Sequence, residues 1–312
     1  LPTRQSYGIL DVLPASPAKK NSIEVKMTAD LIQQPQIWQL LMEASSDRLA
    51  AVAFSPYENH SMIFEELAYK SGDGELRGLE NTVYNNSLLL ADFSKVTLLY
   101  DTLRVLPVPE ADDSLACSIF RSVYPSQERP GSNVVVNHIP ELDLAICSEI
   151  PGDVENFLRR TFPCMNIEHP LVPLCRYFSA KHPVRRSGKT LVNLRGKRLD
   201  IITLGDRAPL TVGSYRMEEP MDAVYYILAS RESLRLPETD EIMIAGDRAT
   251  RAAITPILRR YVRYVMPAIF PSAMFRAGKA SLSAPFELIV SPLVPPAKPI
   301  DEYHTKKTET CE

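Results

Sequence analysis

Residues 190–247, TLVNLRGKRLDIITLGDRAPLTVGSYRMEEPMDAVYYILASRESLRLPETDEIMIAGD, decide the fold. Thr190–Leu194, Arg198–Leu204 and Ala208–Tyr215 are runs rich in apolar and β-branched residues that read as strands. Gly196-Lys197 and Gly205-Asp206 stand between them, and a glycine leading a two-residue loop signals a tight hairpin. The helix that follows is punctuated at both ends. Glu218 and Glu219 face the positive end of its dipole, Pro220 opens the first turn, and Arg231 and Arg235 close the negative end. Met221, Val224, Tyr225 and Leu228 form its expected apolar stripe. Glu241–Ala245 reads as a short buried strand ending at Gly246. A second helix then starts at Thr250 with Pro256 tolerated inside it, or at Thr255 with Pro256 in first position. Ile254, Ile257, Leu258, Tyr261 and Val265 are its apolar face. The order is three antiparallel strands, helix, strand, helix.

Working back from that stretch, the first half repeats the order less clearly. Leu49–Phe54 and Met62–Tyr69 read as strands, with Glu24–Met27 as a third. A helix falls within Glu75–Leu90, Lys95–Tyr100 is a buried strand, and Asp112–Tyr124 is a helix. Ile37, Leu40, Leu41 and Ala44 recur at helical spacing and predict an inserted helix between the first two strands. An additional unit follows: a hairpin of Asn133–Asn137 and Leu142–Cys147 around Ile139-Pro140-Glu141, then a helix marked by Val154, Phe157 and Leu158 after Pro151. The expected organisation is an irregular arm over 1–22, a first domain over 23–182, a second over 188–293 and a disordered tail over 294–312. The proline-interrupted stretch Lys181–Gly188 reads as the linker.

With 312 residues, 45% of them hydrophobic and 23% charged, the chain is neither disordered nor collagen-like and suits two domains. It carries 26 prolines and 12 glycines, no two of the glycines adjacent, so it has little material for loops that wrap phosphates. Five widely spaced cysteines read as free thiols of a reducing cytoplasm rather than a disulfide framework. No stretch approaches the ~18 apolar residues of a membrane span. The chain begins at Leu1 rather than Met, which fits an upstream segment having been removed. Residues 1–180 carry a net charge of −9 and residues 181–312 a net +6. Lys181–Leu199 and Arg248–Phe286 hold seven Lys/Arg each and no acidic residue. Such asymmetry points to an anionic partner or to attraction between the halves.

A βββαβα unit occurring twice is the layout of the ribonuclease-H-like, actin-like ATPase superfamily. Beyond the layout, Lys95–Pro109 (KVTLLYDTLRVLPVP), Thr190–Leu204 (TLVNLRGKRLDIITL), Met221–Leu228 (MDAVYYIL) and Ile242–Asp247 (IMIAGD) resemble segments of an uncharacterised, mainly Bacteroidetes family. That family is similar to the pilus-assembly and cell-division members of the actin-like group, and the resemblance covers roughly residues 24–293. It implies an α+β fold of tandem domains, each βββαβα around a mixed sheet, and carries no established activity. Active superfamily members bind ATP between the domains, with an Asp-Gly-containing hairpin from each domain on phosphates and metal and a Gly-Gly turn on the adenosine. Carried over to this chain, the second phosphate hairpin falls at Asn193–Arg198, with Asn193 where an acid is expected and Arg195 where a glycine is expected. The adenosine turn becomes Ala245-Gly246, and an interdomain groove is expected with Asn193 and Gly246 facing each other across it. The first hairpin lies between Glu24 and Phe54 without any glycine, and neither Asp30 nor Asp47 has a recognisable hairpin context. Magnesium–ATP needs carboxylates on a hydrated cation and backbone N–H groups on the phosphates. Both elements are eroded, which argues against hydrolysis. Asn193, Arg195, Lys197, Arg198 and Gly246 are the candidate anion- or nucleotide-binding residues, with no cofactor required and Mg-ATP as the alternative.

Other motifs weigh less. Ser187-Gly188-Lys189-Thr190 imitates a P-loop end, but Pro183 stands where the first glycine belongs and a strand follows instead of a helix. Gly72-x-Gly74-x-x-x-Gly78 has one residue too many for a dinucleotide fingerprint, and Asp73 and Glu75 would repel a pyrophosphate. Cys164, His169, Cys175 and His182 are spaced too loosely for zinc, so no metal is expected. Asp101 ends a buried strand where ribonuclease-H-like nucleases keep a carboxylate, with Asp92, Asp112 and Asp143 as conceivable companions; a strand-end turn is the plainer reading. In Arg259-Arg260-Tyr261-Val262-Arg263-Tyr264, helical spacing puts Tyr261 on the apolar face and the arginines outward. That favours a solvated or protein-docking face over a nucleic-acid groove. The sequence thus points to a degenerate actin-like protein acting through protein contacts. An ATPase or kinase-like enzyme, or a nucleic-acid binder through the basic half, are the alternatives.

Overall fold

A computed structural model of the protein describes residues 34–182, 188–205 and 209–294. The expected arm over 1–22, the strand at Glu24–Met27 and Asp30 lie outside those residues, as does the tail beyond 294. The first sheet is built by β1 (Gln39–Ala44), β2 (Arg48–Phe54), β3 (Ile63–Ala68), β4 (Lys95–Tyr100) and β8 (Asn166–Glu168) in the order β3-β2-β1-β4-β8. The second is built by β9 (Lys189–Arg195), β10 (Arg198–Leu204), β11 (Pro209–Arg216), β12 (Glu241–Gly246) and β13 (Val265–Pro267) in the order β11-β10-β9-β12-β13. The two orders are the same topology. In each, three antiparallel strands are followed by two parallel ones, so the two halves share one plan.

The helix expected around Ile37–Ala44 is instead strand β1, paired with β2 on one side and β4 on the other. A strand covered on both faces reads as a continuous apolar run, and QLLMEA happens to place its apolar residues at helical intervals as well. A second correction concerns Asp112–Tyr124. Helix α2 (Asp113–Val123) forms there, its N-terminus capped by the Asp112 carboxylate accepting from the Leu115 N–H at 3.0 Å. It packs through Ala116 and Phe120 onto a separate three-stranded sheet, β5 (Val105–Pro109), β7 (Leu144–Pro151) and β6 (Ser132–Ile139), and not onto the first sheet. The helix that completes the first repeat is α3 (Gly152–Thr161), whose Val154, Phe157 and Leu158 join α1 (Glu75–Tyr84) over one face of the first sheet. The expected hairpin at 133–147 is therefore part of an inserted β5–α2–β6–β7 unit, while the helix after it belongs to the repeat.

In the second half, α5 (Pro220–Ser233) starts where predicted, with the Asp222 carboxylate accepting from the N–H groups of Glu218 and Glu219. Its buried face is Ala223, Val224 and Ile227, whereas Met221 and Tyr225 face out. Helix α6 (Arg248–Leu258) begins two residues before Thr250 because Asp247 caps it, accepting from the Thr250 N–H at 2.8 Å; Pro256 sits inside it. The helix ends before Tyr261, which is 57% exposed and not on the apolar face.

The remaining faces of the two sheets are covered by exchange. Helix α4 (Leu171–Lys181), which closes the first half, packs Leu171, Leu174, Cys175 and Phe178 against Leu191, Ile202 and Leu204 of the second sheet. Residues 272–293, which close the second half, pack Met274, Ala277, Leu288 and Ile289 against Leu41, Val52 and Leu99 of the first. Leu288 and Ile289 lie on α7 (Phe286–Val290), the short helix that sits between the sheets.

Candidate functional site

The registers of β1 on β4 and of β9 on β12 superpose Gln39 on Lys189, and therefore Glu43 on Asn193. The same register matches Asp101 with Asp247: each backbone N–H, just past its strand, donates at 2.8 Å to a carbonyl of the central strand, that of Ala44 or Leu194. The first hairpin is the β1–β2 turn, Ser45-Ser46-Asp47, so Asp47 does stand in a hairpin, contrary to expectation. Its carboxylate accepts from the Ser45 hydroxyl at 2.7 Å. The second hairpin turns at Gly196, with φ +56°, and a Cβ placed there would lie 3.0 Å from an Arg48 guanidinium nitrogen. The two turns are thus in contact.

Between them lies one guanidinium. Arg198, 3% exposed, reaches four carboxylates: Asp101 at 2.7 Å and Glu43 at 3.2 Å through Nη1, Glu287 at 2.6 Å through Nη2, and Asp200 at 3.1 Å through Nε. Glu43 and Asp101 come from the first sheet, Asp200 from the second, and Glu287 from α7. Arg195 adds contacts to Glu43 at 2.9 Å and Glu66 at 3.0 Å. The Asn193 amide donates to Asp200 at 3.1 Å and to Glu287 at 3.2 Å, leaving its carbonyl oxygen without a partner among the described residues. Asn193, Arg195 and Arg198 are therefore brought together. Lys197 is not: it points outward from the hairpin tip to Glu218. Gly246 lies beside Asn193 on the adjacent strand of the same sheet, so the two do not face each other across a groove.

Burial, followed by the nearby Glu287 charge, pushes the Glu43 carboxyl up to about 8. Burial likewise raises Asp200, while the four carboxylates hold Arg198 well above its ordinary range. These residues do not fit a hydrated magnesium ion with a triphosphate. The carboxylates that would receive the cation already receive Arg198, and the backbone approach at the second turn is filled by Arg48. Among the described residues no group of three or more His, Cys, Asp or Glu side chains is arranged to hold a metal.

His169 adjoins this cluster. It is fully buried, its Nε2 donating to the Thr102 carbonyl at 2.9 Å and its Nδ1 accepting from the Leu171 N–H at 3.1 Å. Burial, then the Arg198 charge, lowers its pKa from 6.5 to about 4. Neutral His169 thus adds stability that is present above pH 6.5 and is lost as the pH falls through about 4. Glu43 acts in the opposite sense: its protonated form adds stability below 4.5 that is lost as the pH rises through about 8. Urea midpoints measured from pH 4 to 7 should show the wild type gaining, relative to His169→Gln, on the order of 3 kcal/mol as the pH rises. Parallel curves would show that His169 is not held neutral by the fold. Of the loosely spaced Cys/His set, Cys164 is exposed while His169 and Cys175 are buried.

Beside the ion cluster opens a cleft of about 810 Å³. Its lining includes Arg195 and Gly196, the Gly246–Arg248 turn with Arg251, the carboxylates of Glu66 and Glu287, and Phe270 with Leu282. Gly246 has φ +85° and packs directly on Leu194. The sequence reading missed Glu43, hidden in a strand taken for a helix, and Glu287, which no local pattern marks. It also took Asp101 for a turn residue, although Asp101 supplies one of the four carboxylates on Arg198.

A family profile described as a protein of unknown function (DUF3822) matches residues 29–265, and the chain belongs to that family. Its fold is similar to that of a Bacteroides thetaiotaomicron protein with actin-like ATPase fold and unknown function, at TM-score 0.67 and 19% identity over 75% of this chain and 91% of that one. A chain of the PilM-PilN type IV pilus biogenesis complex matches at TM-score 0.48 and 12% identity, over 82% of this chain and 97% of that one. The ethanolamine utilization protein EutJ from Carboxydothermus hydrogenoformans matches at 0.41 and 10%, over 85% and 95%. No curated protein matches the chain in sequence. The fold is thus that of the actin-like ATPases, as the doubled unit implies. No helix among the described residues is long and apolar enough to cross a membrane.

Proposed function

We propose that this protein is a non-hydrolysing actin-like protein of the cytoplasm that acts through protein contacts. In this reading Asn193, Arg195 and Arg198 hold the two halves together from within instead of holding a metal nucleotide. The observation that carries this reading is the Arg198 guanidinium, which bridges carboxylates of both sheets at the place where the two phosphate hairpins of an active relative would meet. A buried guanidinium that engages all four carboxylates occupies the oxygens that a hydrated cation would need. The cytoplasmic assignment is supported by the four cysteines among the described residues, all unpaired and two of them buried. The adjoining cleft remains for a ligand that needs no metal.

Thermal unfolding with and without millimolar Mg-ATP tests the reading, and an unchanged melting temperature is expected. Binding at 100 times Kd would add about 2.7 kcal/mol and raise the melting temperature by about 5 °C. A saturating rise of that size would overturn the proposal.

A further inference from the structure

The acid-free tract Arg248–Phe286 is unusual in its surroundings as well as in its composition. None of its seven cations has a carboxylate within 4.0 Å among the described residues, whereas Arg48, Arg104, Arg195 and Arg198 are all paired. The same tract exposes Ile269 (82%), Leu282 (62%), Phe275 (56%) and Met266 (41%), together with Tyr261 and Tyr264. Arginines without a close carboxylate partner next to exposed aliphatic and aromatic side chains are the composition of an interface, with arginine, tyrosine and methionine enriched.

Topology makes this surface continuous. Strand β13 is the edge of the second sheet, and no strand among the described residues pairs with its outer side. Its last residue, Pro267, and the following Ala268 and Phe270 line the 810 Å³ cleft, where they meet Arg248, Arg251 and Leu282. On that edge the Val265 carbonyl already accepts from the Arg259 guanidinium and Pro267 has no N–H to offer, so what this face presents is side chains: arginines interspersed with Glu66, Asp247 and Glu287 in the cleft, and Phe270 and Leu282 beside them.

We infer that this face docks an acidic segment of a partner protein. The segment lies across Arg248, Arg251 and Ile269 and seats an apolar side chain in the cleft near Phe270 and Leu282. Its chemistry follows from complementarity: carboxylates for Arg248 and Arg251, and an aliphatic or aromatic anchor for Phe270 and Leu282. A nucleic acid fits less well, since Ile269, Met266 and Leu282 offer nothing to a phosphodiester, and Arg263 already covers a face of the Tyr264 ring at 5.4 Å. The inference rests on the proposed function in one respect, that no nucleotide occupies the cleft.

The test is fluorescence anisotropy of the full chain with a labelled dodecapeptide of alternating Glu and Leu, beside Glu-Ser and Lys-Leu counterparts and oligo(dT) of matching charge. Saturable binding of the Glu-Leu peptide alone is expected. The paired substitution Arg248→Glu and Arg251→Glu should weaken it about tenfold or more, as should Ile269→Asp, with the melting temperature unchanged. Equal binding of the Glu-Ser peptide would remove the apolar anchor and overturn the proposal. Tighter binding of oligo(dT), absence of any peptide binding, or indifference to both variants would do the same. Displacement of bound peptide by Mg-ATP would count against the non-hydrolysing reading while leaving the docking face in place. A flat Mg-ATP melting curve with no peptide binding would do the reverse.

Discussion

Replacing Arg198 by methionine is expected to cost ~3–5 kcal/mol or more, enough to leave much of the chain unfolded at ordinary temperature. The loss is not that of four favourable contacts. It arises because Asp101, Asp200 and Glu287, the last two fully buried, would lose their shared counter-ion, and Glu43 a donor, while remaining shut away from water. The contrast lies at the hairpin tip: Lys197→Ala breaks an exposed pair with Glu218 and should cost less than ~1 kcal/mol. If the cost comes from stranded charge, adding Asp200→Leu and Glu287→Leu to R198M should recover most of it, since well-packed apolar groups often match a buried ion pair. Urea unfolding of the four proteins decides the matter. An R198M midpoint equal to that of the wild type would mean that the cluster does not hold the crevice shut.

Gly246→Ala should be nearly as severe, at more than ~4 kcal/mol. The backbone there has φ +85°, which an L side chain resists, but the greater difficulty is space. An added Cβ would lie 2.0 Å from the Leu194 carbonyl oxygen and 2.6 Å from its nitrogen, both backbone atoms. The strand cannot back away, because β12 pairs with β9 along its length and the Asp247 N–H donates to that same Leu194 carbonyl. Gly72→Ala separates the two causes: φ is +91° there, but the surroundings are open, so the cost should be limited to ~1–2 kcal/mol. Comparable losses at both sites in chemical denaturation would show that the close approach of β9 and β12 is not what requires glycine at 246.

The second repeat was legible because its signals are local. Gly196 marks a turn, Glu219 and Pro220 mark a helix start, and each lies within a few residues of what it organises. In the first repeat the decisive facts are not local. Buried on both faces, β1 shows no alternation, so its apolar spacing suits either period. The β5–α2–β6–β7 insertion separates β4 from α3, so the nearest helix in sequence is the wrong one for the sheet. The candidate site was half visible. Asn193, Arg195 and Arg198 could be flagged as departures from a motif, but their partners could not. Glu287 lies 89 residues from Arg198, and Glu43 lies 155 residues away. Only a folded chain brings them together.

The exchange of closing segments sets the order in which the molecule can be completed. As the chain leaves the ribosome, the first sheet forms with Leu41, Val52 and Leu99 uncovered, and they stay so until Leu288 and Ile289 arrive. Helix α4 is in the converse position, an early element waiting for strands not yet synthesised. Neither half can therefore mature by itself during translation. The nascent first half presents a greasy plate to whatever chaperone or neighbour it meets, and release from that hazard comes only once residues 272–293 are in place.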